Sequence, residues 1–113
     1  MKLYVLVRDD LPSKSYKAVQ AGHAVAKFMI DHRGTWKNDY LIYLRVSSED
    51  KLKQIEKELR EDDYKAISVF QEPDLENAAT AMAVSGPGLT YRLQNFSLLQ
   101  NTFTGDGQMV KPP

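Results

Sequence analysis

Between Lys2 and Arg8 the chain reads Leu3-Tyr4-Val5-Leu6-Val7, apolar throughout and charged only at its ends. A run of that length with little alternation predicts a central strand covered on both faces. Pro12-Ser13 breaks the run, and Ser13 or Ser15 stands where a helix cap is needed. From Tyr16 to Arg33 the period turns helical. Ala18, Ala21, Val25, Phe28, Met29 and His32 fall on one side, the expected core face. Tyr16, Gln20, His23 and Lys27, spaced three or four apart, form a polar stripe. Gly34 supplies a C-terminal stop, Trp36–Asp39 a connection, and Tyr40–Ser47 a second strand. Ser47 or Ser48 caps a second helix to about Asp62, with Leu52, Ile55 and Leu59 at helical spacing. Its other face (Lys51, Lys53, Glu56, Lys57, Glu58, Arg60, Glu61) is laced with both charge signs and reads as a solvated surface.

Ala66–Gln71 predicts a third strand, Glu72–Ala78 a polar loop and Ala79–Ser85 a fourth strand. This order implies an α/β fold: a three-layer sandwich with a small four-stranded mixed sheet and helices packed on its faces. The last two strands are close enough in sequence for a hairpin-like return. Ser85-Gly86-Pro87-Gly88 closes a domain over residues 1–87, leaving 88–113 as a C-terminal extension. In that extension Leu89, Tyr91 and Leu93 alternate like one more strand, and Phe96, Leu98 and Leu99 are candidates for burial against the sheet. Thr104-Gly105-Asp106-Gly107 reads as a turn and Pro112-Pro113 as a frayed end.

A length of 113 residues, 42% hydrophobic and 27% charged, suits one globular domain with one core. The absence of cysteine excludes disulfides, thiol catalysis and cysteine-ligated zinc. His23 and His32 are the only histidines, and no carboxylates repeat at ligand spacing, so no dedicated metal site is expected. No signal-peptide pattern opens the chain, and no stretch reaches the ~20 apolar residues of a membrane span. A cytoplasmic protein without membrane association is the expectation. Formal net charge is zero but uneven. Residues 1–33 hold six Lys/Arg against three acids, and residues 34–78 seven against eleven. That imbalance favours the first helix as a face for nucleic acid.

Chemistry-bearing side chains gather around that helix and the end of the third strand. Gln20 offers an amide donor and acceptor, Glu72 a carboxylate at a strand end, and Lys14 or Lys17 a cation. Each also has a structural reading. Gln20 can be a tertiary hydrogen-bonder, His23 a packed histidine, Glu72 the start of a turn, and the lysines plain surface. Arg8-Asp9-Asp10 can simply join the strand end to the helix start, where the dipole favours acids.

Two blocks carry a more specific signal. Arg8-Asp9-Asp10-Leu11 followed by Ala18-Val19-Gln20-Ala21-Gly22-His23-Ala24 resembles the start of the type 2 peptidyl-tRNA hydrolases. Val69-Phe70-Gln71-Glu72 and Thr80-Ala81-Met82-Ala83-Val84-Ser85-Gly86-Pro87 resemble that family's closing strands. The resemblance covers roughly residues 2–87. It implies a cofactor-free esterase that cleaves the bond between a peptide and tRNA, often as a homodimer, with tRNA or peptidyl-tRNA as partner. The resemblance carries catalysis over to Gln20 and, in place of an aspartate, Glu72, and matches the family's helix histidine with His23. Lys17 or Lys14 is the candidate cation beside them, and Arg8, Tyr16, His23 and Lys27 are the candidate substrate-binding residues. Four departures are visible. Tyr16 occupies the position of the family's helix lysine, Glu72 replaces an aspartate, Glu76 falls where a threonine belongs, and the family's last helix gives way to an unrelated tail. The alternative on the same scaffold is a catalytically inactive RNA- or protein-binding module. An esterase or amidase for another small substrate ranks third.

Overall fold

A computed structural model describes residues 1–99. Four strands, β1 (Lys2–Arg8), β2 (Tyr40–Val46), β3 (Ala66–Glu72) and β4 (Ala78–Ser85), form one mixed sheet in the order β2-β1-β4-β3. β2 runs parallel to β1, whereas β4 is antiparallel to both β1 and β3. The helices α1 (Lys14–Asp31) and α2 (Glu49–Glu61) are the crossovers, and they cover opposite faces. This is the three-layer α/β arrangement expected from the element order.

β1 is apolar on both sides because both sides are buried. Leu3, Val5 and Val7 pack with Ala21, Ala24 and Phe28 of α1, while Tyr4 and Leu6 pack with Leu52, Ile55 and Leu59 of α2. Ser13 and Ser48 begin the two helices, each hydroxyl accepting the N–H three residues on, from Tyr16 at 3.1 Å and Lys51 at 3.2 Å. Such caps satisfy N–H groups that the first turn cannot pair.

The buried face of α1 differs from the expected one. Gln20 joins Ala21, Ala24 and Phe28 in the interior, Ala18, Val25 and His32 are half-buried, and Met29 is exposed. A polar residue was assigned outward by its type, but its amide finds partners inside. α3 (Leu89–Arg92) replaces the strand expected at Leu89–Leu93. Leu89 and Leu93 are four apart, so one helical turn puts both into the α2-side core and leaves Tyr91 78% exposed. Gly88 precedes this turn with φ +78°, a conformation that glycine adopts without strain. Leu99 is buried on the α1 side, and Phe96 and Leu98 are partly buried on the other. The turn expected at Thr104–Gly107 and the Pro112-Pro113 end lie outside the described residues. Among the described residues no helix is long and apolar enough to cross a membrane.

One irregularity matters for the site. Phe70 pairs with Ala81 but Gln71 pairs with Ala79, so Thr80 is an extra residue in β4. Before this bulge Ala79 packs in the α2-side core; after it Ala81 and Ala83 pack on the α1 side. The bulge thereby reverses the phase of the strand and re-aims Thr80 at α1.

Candidate functional site

Gln20, Glu72 and Thr80 meet where α1 crosses the ends of β3 and β4. Gln20 Nε2 donates to Glu72 Oε1 at 2.8 Å, and Thr80 Oγ1 donates to Gln20 Oε1 at 2.6 Å. The direction of this chain follows from the donor inventory. An ionised carboxylate only accepts, so the amide NH₂ must face Glu72 and its oxygen must take the hydroxyl proton. The second carboxylate oxygen, Oε2, accepts from the Asp74 N–H at 3.2 Å, which caps the 3-10 turn Pro73–Leu75. The Gln20 amide and the Asp74 N–H hold the Glu72 carboxyl below the usual carboxylate range, with His23 adding to the effect. Glu72 is therefore an anion at neutral pH.

The pair is closed rather than open. Gln20 is 0% exposed and Glu72 9%, so the pair lies beneath the surface rather than lining an open cleft. The Gln20 amide holds the Glu72 carboxylate by its hydrogen bond. Tyr16 is half-buried beside the pair. Burial first, then the negative charges of Glu72 and Asp74, push its phenol up, so it is a neutral donor at pH 7. His23 is exposed and stacks on Phe70 with ring centroids 4.5 Å apart and planes 12° apart.

The cations stand differently from the expectation. Lys17 pairs with Asp9 at 3.1 Å, and Arg8 forks onto Asp10 at 2.9 and 3.0 Å while donating to the Ala79 carbonyl. Lys27 pairs with Asp31 at 2.8 Å, and Asp31 in turn takes the Ser68 hydroxyl, tying the far end of α1 to β3. Lys14, the first residue of α1, is exposed, and no carboxylate among the described residues lies within ion-pair distance of it. None of these cations is among the groups that lower Glu72. Neither Lys14 nor Lys17 forms an ion pair with Glu72, and Lys27 is held by Asp31 at the far end of α1. Glu76 is exposed in a left-handed turn at φ 55° and takes no part in the hydrogen bonds of Gln20 and Glu72.

Thr80 is the member that sequence reasoning missed. It counted only as part of the closing-strand motif, yet its fully buried hydroxyl fixes the Gln20 amide. The available signal was a lone hydroxyl within the otherwise apolar run Ala78–Val84. Such a hydroxyl requires a buried partner. No protein-family model matches this sequence, and no curated protein matches it.

Proposed function

We propose that this chain is a diverged type 2 peptidyl-tRNA hydrolase, cleaving the ester between an N-acyl-aminoacyl group and tRNA. The observation that carries the reading is the hydrogen bond between Gln20 and Glu72, 52 residues apart in sequence. These are the two residues that the family resemblance assigns to one site. A lowered carboxylate is a weak base, so Glu72 is suited to orient a water through its remaining lone pairs more than to hold its proton. The Tyr16 phenol, close enough to feel the charge of Glu72, is a donor available to charge that develops on the ester oxygen.

A second reading has its own support. Full burial of Gln20 and the lack of a lysine or arginine paired with Glu72 suit a module that binds tRNA without cleaving it. The test is peptide release from an N-acyl-aminoacyl-tRNA by the purified chain against an enzyme-free blank, with Glu72→Gln alongside. Release above the blank that disappears in the variant supports hydrolysis. Tight tRNA binding with no release assigns the chain to the binding module, and failure of both removes tRNA from the account.

A further inference from the structure

β1 and β2 run parallel and end side by side at Arg8 and Val46. Just beyond them lies a cavity of about 440 Å³ lined by Arg45, Ser47, Lys51, Asn95, Ser97 and Asp9, among others. Arg45 and Lys51 set it apart. Of the described lysines and arginines without a carboxylate at ion-pair distance, the others (Lys2, Lys14, Arg33, Lys37, Lys57, Lys65) are exposed or, for Lys2, hydrogen-bonded to Thr90. Arg45 and Lys51 are half-buried and line the same cavity. Their stems are partly covered, and neither charged head has an ion-pair partner among the described residues, so both are free to take an anion. The acids of the neighbouring segments are already engaged. Asp9 is held by Lys17, and Glu49 by the Ala79 N–H and Lys53.

We infer that Arg45 and Lys51 form a phosphate-binding pocket that takes a backbone phosphate of tRNA. The choice of RNA as the source rests on the function proposed above; the pocket itself rests on the two unpaired cations. A guanidinium fork and an ammonium match the oxygens of a phosphate, and hydroxyl or amide donors complete such sites. Ser47, Ser97 and Asn95 supply those groups around the cavity. The pocket opens at the end of the sheet where Arg8 and Lys17 are already neutralised by Asp10 and Asp9. Phosphate held there would place the RNA across the sheet end that also carries Glu72.

Two measurements decide the point. The first titrates the wild-type chain with inorganic phosphate and follows backbone amide shifts. Movement at Ser47, Lys51, Asn95 and Ser97 is expected, and no movement there overturns the pocket without needing any variant. The second measures anisotropy of labelled deacylated tRNA across a salt series for wild type, Arg45→Gln/Lys51→Gln, and the exposed control pair Lys57→Gln/Lys65→Gln. The pocket variant should bind about tenfold more weakly near 0.1 M salt, and its log–log salt slope should shrink by about one, as for a single lost phosphate contact. The control pair should change less on both counts. A pocket variant with wild-type affinity and slope overturns this inference and leaves the hydrolase reading standing. A wild-type chain that ignores tRNA while phosphate moves those amides overturns the RNA assignment and the proposed function together.

Discussion

At the scale of single residues, Gln20 shows how a polar side chain comes to lie in a core. Its amide reads as surface in any periodicity argument, because the two groups that satisfy it stand 52 and 60 residues further on. The resemblance made Gln20 and Glu72 legible as a pair; their burial was not legible, since it depends on a bulge that frees Thr80. The energetic signature should be coupling. Gln20→Leu orphans the buried Thr80 hydroxyl and should cost about 1–3 kcal/mol in denaturant unfolding, and Thr80→Val about as much. The double variant should cost clearly less than the sum, because the Thr80 hydroxyl that Gln20→Leu orphans is then absent, while the loss of the amide donor to Glu72 is counted only once. Strict additivity would mean that the two side chains do not depend on each other. Tyr16 carries a kinetic prediction. A lysine there would place an ammonium at the site, aimed at the ester oxygen, on which charge appears only in the transition state. Tyr16→Lys should then raise peptidyl-tRNA cleavage roughly a hundredfold, the ~3 kcal/mol typical of such a donor. A stable variant that binds tRNA and gains nothing would favour the binding module.

Regular elements were legible where one physical pattern dominated. β1 lies at Lys2–Arg8 as its apolar run implied, and α2 begins after Ser48 because serine hydroxyls cap helices wherever the chain offers them. The failures share a cause: a spacing that two elements can both satisfy. Leu89, Tyr91 and Leu93 fit a strand by alternation and a helical turn by the interval of four. The Gly86-Pro87-Gly88 reversal that leads into a helical turn decides between them only once the chain is folded. The α1 face was misread by one strip, since its alanines fix the helix but not its rotation. Element packing can be tested through Phe28, which is fully buried against β1 and β4. Phe28→Ala should destabilise the chain by about 3–5 kcal/mol, whereas Val25→Ala, half-buried on the neighbouring strip, should cost markedly less. Equal losses would mean that the two positions share one environment.

Across the whole molecule, carboxylates tie the layers together. Glu72 joins β3 to α1, Asp31 joins α1 to β3, and Glu49 joins α2 to β4 through the Ala79 N–H at 2.7 Å. Asp10 holds Arg8 at the end of β1, and Asp39 holds the N-terminal amine beside the start of β2. All five are lowered in the folded chain: Glu72 mainly by the Gln20 bond, Asp31 by Lys27 and Ser68, Glu49 by the Ala79 N–H, Asp10 by Arg8 and Asp39 by the amine. A carboxyl lowered on folding adds stability that is complete above its unfolded value, about 4. That stability is lost as pH falls through the lower folded value, because the unfolded chain then binds protons more readily. Tyr43 and Tyr16 act with the opposite sign: burial raises both phenols, so their contribution is complete below about 10 and fades as pH rises beyond it. Thermal unfolding should therefore show a plateau from about pH 5 to 9, with a steep fall below about pH 4 where several interlayer ties release together. Glu49→Gln and Glu72→Gln should each lower the plateau and flatten the acid limb, since an amide no longer titrates. An acid limb of unchanged steepness in both variants would show that acid unfolding draws on other groups, and that these two carboxylates do not hold the layers.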